Sequence, residues 1–128
     1  MAHILIIEDD VFTAKLLSLG LERGGHSIIA ASDGAQGVAR ARAHRPDLIV
    51  LDVLLPGMNG FEVLRHLKHN PTTHEIPVLM LTAQTDGRSV LAGIDSGAAA
   101  YLSKPVDLPD LLQRIERCLA RRAGAAVV

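Results

Sequence analysis

The chain has 128 residues, 48% of them apolar, which suits one compact domain with a single core. Its formal net charge of −1 gives no reason to expect a nucleic acid or an acidic membrane surface as a partner. The longest apolar runs are too short to cross a bilayer, the first residues (MAHILIIEDD) do not resemble a signal peptide, and the single cysteine, Cys118, excludes an internal disulfide, so we expect a cytoplasmic protein.

Short segments rich in Ile, Leu and Val alternate with longer segments of helical periodicity along the chain. In chain order they predict strand 3–7, helix 11–23, strand 27–31, helix 34–44, strand 48–52, helix 60–70, strand 77–82, helix 88–96, strand 100–104 and helix 108–122. Asp33 and Asn59 are the expected N-caps of the second and third helices. The first three helices are expected to end at the pair Gly24-Gly25, before Pro46 and before Pro71.

The predicted strands are apolar throughout instead of alternating between apolar and polar residues. This pattern, clearest in LIVL at 48–51 and VLML at 78–81, indicates burial on both faces, as in a parallel sheet. Five strands alternating with five helices predict an α/β fold with a doubly wound parallel sheet and helices on both faces. In such sheets functional sites lie at the carboxyl ends of the strands.

Ionisable and polar residues stand where four of these strands end. They are Glu8, Asp9 and Asp10 after the first strand, Asp52 at the third, Thr82 at the fourth and Lys104 at the fifth. Taken singly, most have an ordinary explanation, since Asp10 can cap the next helix and Lys104 can be solvated. Asp52 is harder to explain, because a charge inside the apolar run LIVLDVLL is costly unless something compensates it.

Carboxylates that meet at one edge of a sheet repel one another, and a divalent cation with oxygen ligands removes the conflict. Mg²⁺ suits a site with few carboxylates, waters and a phosphate oxygen. Beside the metal and Lys104, an ionised Asp52 can attack phosphorus and form an aspartyl phosphate. The metal, Lys104 and the Thr82 hydroxyl would then neutralise charge on the phosphoryl oxygens.

Five segments, in this order and spacing, resemble the receiver domain of two-component response regulators. They are ILIIEDD, LIVLDVLLPGMNGFEVL, PVLMLTA, GAAAYLSKP and LLQRI, and they cover about residues 4–119. The resemblance implies a flavodoxin-like fold of the chemotaxis-regulator type with strand order 2-1-3-4-5. It implies a receiver domain at 1–122 and a C-terminal tail at 123–128.

The resemblance also implies the chemistry of the site. Asp52 is the expected phosphoacceptor, and it takes the phosphoryl group from a sensor histidine kinase or a histidine phosphotransfer protein. Asp9, Asp52 and the backbone carbonyl of Leu54 are the expected direct ligands of Mg²⁺, with Glu8 acting through water. The protein is expected to be a signalling phosphoacceptor rather than an enzyme, one that assists its own phosphorylation and autodephosphorylation.

A second set of residues is expected to transmit the signal. Thr82 matches the switch hydroxyl, Tyr101 the switch aromatic and Lys104 the phosphate-binding lysine, and the bond from Lys104 to Pro105 is commonly cis in the family. Phosphorylation is expected to change the surface formed by helix 88–96, strand 100–104 and helix 108–122. An unknown effector would bind there, or a second copy in a weak dimer if the protein is not a monomer.

Two residues flank the path of a water that would hydrolyse the phosphoryl group, Leu54 and Gln84. We expect the apolar Leu54 to dominate by covering the phosphorus, which predicts slow autodephosphorylation.

Two positions depart from the family pattern, and neither belongs to the expected site. Ala100 stands where many relatives have an acidic residue, and Asn59 stands where Asp is usual. The ending RRAGAAVV shows no effector domain, so we favour a stand-alone receiver over a piece of a longer regulator, and both remain open.

Other phosphate-handling classes fit less well. A haloacid-dehalogenase-type phosphatase needs a second Asp where this chain has Leu54, while flavodoxins and Rossmann dehydrogenases need phosphate-binding loops where this chain has EDDVFTAK. The serious alternative is a pseudo-receiver, an interaction scaffold that is never phosphorylated. The complete set of Asp9, Asp52, Thr82 and Lys104 favours the phosphoacceptor.

Overall fold

The computed structural model describes residues 2–82 and 97–127, the last five of them by their backbone only. Its strands are β1 (His3–Ile7), β2 (Ser27–Ala31), β3 (Leu48–Asp52), β4 (Val78–Thr82) and β5 (Ala100–Ser103). The helices within these ranges are α1 (Val11–Arg23), α2 (Gly34–His44), α3 (Gly60–Lys68) and α4 (Leu108–Val127). The predicted helix 88–96 lies outside the described residues.

The five strands form one parallel sheet in the order β2-β1-β3-β4-β5, which confirms the expected topology. The register pairs Ile7 with Leu51 and Asp52 with Leu81. The carboxyl ends of β1, β3 and β4 therefore lie side by side.

Successive residues of the central strands point to opposite faces of the sheet, and helices cover both faces. One face buries Leu5, Ile7, Ile49, Leu51, Val78 and Met80 against Ala41 of α2 and Val63, Leu64 and Leu67 of α3. The other face buries Ile4, Ile6, Leu48, Val50, Leu79 and Leu81 against Leu17 and Leu21 of α1 and Leu111, Ile115 and Cys118 of α4.

Burial on both faces holds for the central strands only. β3 and β4 are buried at every residue, whereas β2 is fully buried only at Ala31 and β5 only at Leu102. Among the strands of the described residues, β2 and β5 lie at the edges of the sheet, so one side of each has no strand neighbour there. The apolar pattern of the sequence did not distinguish edge from centre.

Side chains cap the helices where the sequence predicted. Asp33 accepts a hydrogen bond from the backbone N–H of Gln36 at 2.8 Å, and Asn59 accepts one from Glu62 at 3.0 Å. Asp10 caps α1 by accepting from Thr13 at 3.1 Å. The first-turn N–H groups of these helices thereby gain partners.

Element bounds differ from the predictions by a residue or two, except at the C-terminus. β4 begins at Val78 because Pro77 has no N–H to donate, although its carbonyl accepts from Ile49 at 3.0 Å. α4 continues past Arg122 to Val127, through a segment rich in alanine, the strongest helix former. No helix in the described ranges combines the length and apolar character needed to span a bilayer.

Candidate functional site

Three carboxylates meet at the carboxyl ends of β1 and β3. One carboxylate oxygen from each of Glu8, Asp9 and Asp52 lies within 4.8 Å of the other two. Glu8 is 2% exposed and Asp52 3% exposed, while Asp9 is open to solvent. The sheet order explains the meeting, because β1 and β3 are neighbours and end at the same level.

Lys104 places an ammonium group against two of these carboxylates. Its Nζ lies 2.8 Å from Oδ2 of Asp52 and 3.3 Å from Oε1 of Glu8. The backbone holds the lysine in place, since its N–H donates to the carbonyl of Thr82 at 2.8 Å. The peptide bond from Lys104 to Pro105 is cis, as the resemblance implied.

The same contacts set the protonation of the lysine. Partial burial acts to lower the pKa of Lys104, but the hydrogen bond and the charge of Asp52, followed by those of Glu8, outweigh it and raise that pKa above its ordinary value. The ammonium is therefore retained at neutral pH and can meet an anion.

The protonation of Glu8 indicates that the ammonium of Lys104 alone does not balance the negative charge of the three carboxylates. Burial, then a hydrogen bond with Asp52 and repulsion by its charge, raise the pKa of Glu8 to about 8, against the opposing attraction of Lys104. Without a further cation, Glu8 keeps a proton at neutral pH. Three clustered carboxylates, one of them unable to ionise freely, are a donor set that fits a hard divalent ion such as Mg²⁺.

The loop after β3 supplies a third contact to Asp52. The backbone N–H of Leu54 donates to Oδ1 of Asp52 at 3.1 Å, so both oxygens of this carboxylate have a hydrogen-bond donor. The Leu54 side chain is 65% exposed beside it. A backbone donor and an ammonium on one buried carboxylate hold its orientation.

Thr82 and Tyr101, the two expected switch residues, lie on β4 and β5. Thr82 ends β4, is 1% exposed and pairs with Ser103 in the sheet register. Tyr101 is half-buried and packs against the core on the α2 and α3 side. Gln84, the second residue expected to flank the attacking water, lies outside the described residues.

Asp10 stands apart from the three clustered carboxylates. It caps α1, and hydrogen bonds from the hydroxyl and the N–H of Thr13 keep the pKa of Asp10 below its usual value. The explanation of Asp10 as a helix cap is therefore correct. Of the three acidic residues after β1, only Glu8 and Asp9 cluster with Asp52.

Gly60 lies against the site, and the sequence analysis assigned it no role although it belongs to the segment LIVLDVLLPGMNGFEVL. A Cβ on this residue would come 2.4 Å from the carbonyl oxygen of Asp52. A further sign in the sequence is that this glycine directly follows the N-cap Asn59, in the first turn of a helix, where better helix formers are common.

Comparison with known proteins agrees with the fold and shows the family. The family model described as response regulator receiver domain matches residues 4–116. Over 122 residues the chain is 45% identical to the DNA-binding dual master transcriptional regulator RpaA of Synechocystis, covering 95% of this chain and 50% of that protein. Over 120 residues it is 39% identical to Protein PilH of Pseudomonas aeruginosa, covering 94% of this chain and 99% of that protein.

Solved structures give the same answer. A putative response regulator from Chloroflexus aurantiacus superposes with a TM-score of 0.89 at 35% identity, covering 93% of this chain and 98% of its own. The chemotaxis protein CheY4 of Vibrio cholerae gives 0.87 at 31% identity, covering 92% and 98%. The chain spans about half the length of several curated relatives, RpaA among them, and nearly all of PilH. From the family match and these relatives, the chain belongs to the response regulator receiver domain family.

Proposed function

We propose that this receiver domain accepts a phosphoryl group on Asp52 in a Mg²⁺-dependent reaction and thereby switches a signalling surface. The observation that carries the proposal is the setting of the Asp52 carboxylate. It is buried, one oxygen meets Lys104 and the other meets the N–H of Leu54, and two further carboxylates lie beside it. This setting fixes an anionic nucleophile next to groups that attract phosphate oxygens.

The carboxylate cluster and the loop after β3 would together supply the metal ligands. Asp9, Asp52 and the backbone carbonyl of Leu54 would hold Mg²⁺ directly, and Glu8 would act through water. Bound Mg²⁺ supplies positive charge to the phosphoryl oxygens. Glu8, whose pKa is raised by burial, would release its proton once a cation is held beside it.

In the transfer step an oxygen of Asp52 bonds to phosphorus while the phosphorus–nitrogen bond of a phosphohistidine breaks. The imidazole of the donor is released and takes up a proton. Lys104 and the hydroxyl of Thr82 neutralise charge on the transferred group. Attack of water on the aspartyl phosphate later returns the free carboxylate and inorganic phosphate.

Exposed apolar side chains in the segments that follow β1 and β3 would contact a protein that donates the phosphoryl group. Val11 and Phe12, which follow Asp10, are 76% and 85% exposed, and Leu54 is 65% exposed. The donor would be a sensor histidine kinase or a histidine phosphotransfer protein in the cytoplasm. The output would be a changed surface around β5 and α4, reached through Thr82 and Tyr101, to which an effector responds.

The test is incubation with Mg²⁺ and a small phosphodonor such as acetyl phosphate, followed by intact-mass measurement. A gain of roughly 80 Da for one phosphoryl group is expected, and a metal chelator should abolish it. Protein that stays folded and gains no mass with Mg²⁺ present would instead be a pseudo-receiver.

A further inference from the structure

The first residue of α3 lies directly against the backbone of Asp52. A Cβ added to Gly60 would lie 2.4 Å from the carbonyl oxygen of Asp52 and 2.7 Å from Cα of Val53. Both are main-chain atoms, so no side-chain rotation can relieve the overlap. Gly60 is required here by lack of space, since its φ is not in the left-handed region that favours glycine.

A hydrogen bond closes the same contact. The N–H of Gly60 donates to the carbonyl of Val53 at 2.7 Å, and the N–H of Val53 donates to Leu81 at 3.0 Å. Residues 53–59 therefore form a loop that follows β3, and a hydrogen bond joins its first residue, Val53, to Gly60. Leu54 lies in this loop, one residue after Val53.

Other glycines of the described residues make close contacts of a different kind. A Cβ on Gly20 would approach the end of the Leu108 side chain at 2.8 Å, and one on Gly37 would approach Ile7 at 2.5 Å. In those cases the atoms approached belong to side chains rather than to the backbone. Among the described glycines, only Gly60 would bring a Cβ within 3.0 Å of main-chain atoms, and one of those atoms is the carbonyl oxygen of Asp52.

We propose that Gly60 is a positioning residue for the metal and phosphoryl site, an inference that rests on the proposed function. Its close approach sets where the loop begins, and so where the N–H of Leu54 meets Asp52 and where the Leu54 carbonyl stands. A side chain at this position forces α3 and the end of β3 apart. Mg²⁺ requires near-ideal octahedral geometry, so a small displacement of one ligand weakens binding.

The experiment compares Mg²⁺ affinity by calorimetry for the parent, Gly60→Ala, Gly20→Ala and Leu67→Val, at a temperature where each is folded. Gly20→Ala makes the same chemical change away from the site, and Leu67→Val loosens the buried face of α3. We expect Gly60→Ala to lose about tenfold or more in Mg²⁺ affinity while both controls stay close to the parent. Unchanged affinity in Gly60→Ala, or equal losses in Leu67→Val, would overturn the positioning role.

Hydrogen exchange on the unsubstituted protein gives an independent test if Gly60→Ala does not fold. Mg²⁺ should slow exchange of the Gly60 amide and leave the Arg45 amide, which bonds to Ala41 at the end of α2, unchanged. Equal effects at the two amides would refute the inference. A parent protein that binds no Mg²⁺ would instead refute the proposed function beneath it, so the two failures are distinguishable.

Discussion

Among single residues, Glu8 has a raised pKa whose effect on stability can be measured in solution. Burial and Asp52 raise its pKa from 4.5 to about 8. Between these pH values the unfolded chain has lost a proton that the folded chain keeps, so in the absence of metal this group makes the protein less stable as pH rises through that window.

Glu8→Gln removes that titration, because an amide cannot ionise. We predict that the stability of Glu8→Gln relative to the parent increases as pH rises from about 4.5 to about 8 and then levels off. Urea unfolding of both proteins with a chelator present, across this pH range, measures the difference. A difference that stays constant with pH would show that Glu8 does not hold its proton in the folded state.

Leu54 is the residue expected to control how long the phosphoryl group persists. Its side chain is apolar and cannot orient a water, whereas Leu54→Asn supplies a donor and an acceptor and opens the approach. We predict that Leu54→Asn hydrolyses its aspartyl phosphate about tenfold faster, which corresponds to roughly 1.4 kcal/mol off the barrier. The decay of phosphorylated protein after donor removal, with Mg²⁺ present, measures this. Decay no faster than that of the parent would mean that Leu54 does not limit water access.

The sequence pointed to the candidate site residues by their place at strand ends, but it predicted their energetics only in outline. Asp52 was identifiable because it interrupts an apolar run. That mutual repulsion among Glu8, Asp9 and Asp52 would raise a pKa was also predictable from their crowding, but which of them is affected most was not, because the pKa of Glu8 depends on burial and on distances to Asp52 and Lys104 that only the folded chain defines. The role of Gly60 was hidden for the same reason, since its neighbour is a backbone carbonyl eight positions earlier in the sequence.

At the scale of elements, the N-cap of α3 lies between the helix and the loop after β3 that contains Leu54. Asn59 accepts a hydrogen bond from Glu62, and Gly60 follows it into the contact with β3. Asn59→Ala removes the cap and should lower the free energy of unfolding by about 1 kcal/mol. Asn59→Asp, the residue usual in the family, retains a capping oxygen and is the control. Urea unfolding compares the three proteins, and equal stability of Asn59→Ala and the parent would show that the cap contributes nothing.

Helix bounds were predictable where a cap or a stop is local in the sequence, as with Asp33, Asn59 and Pro46. The end of α4 was not, because the stripe of apolar residues ends near Leu119 while the alanine-rich residues beyond it keep the helix going. Partial exposure of β2 and β5 was also missed, because edge position depends on the order of the whole sheet.

At the scale of the whole molecule, the strand order is what assembles the site. β1 and β3 bring Glu8 and Asp52 together, and the side chain of Lys104 reaches them from the end of β5, beyond β4. Periodicity predicted a parallel sheet, but the order 2-1-3-4-5 came from the family resemblance. The same sheet links the site to β5 and α4, where Arg114 donates to the carbonyl of Tyr101 at 3.3 Å.

The connection from the site through the sheet to β5 and α4 predicts which residues change on phosphorylation. If Thr82 and Tyr101 transmit the change, the amide resonances of β5 and of the first turns of α4 should shift on phosphorylation, while the Ala41 amide on α2 should not. A partner can respond only if it binds the two states with different affinity. Spectra of free and phosphorylated protein make the comparison. Shifts confined to the residues next to Asp52 would mean that β5 and α4 are not the output surface.

The most direct test of the central claim, that Asp52 is the phosphoacceptor, is the intact mass of Asp52→Asn beside the parent after incubation with acetyl phosphate and Mg²⁺. Circular dichroism would first confirm that the variant is folded. The parent should gain roughly 80 Da and Asp52→Asn should gain nothing, because the amide cannot form the acyl phosphate. An equal mass gain in folded Asp52→Asn would place the phosphoryl group on another residue and contradict the account.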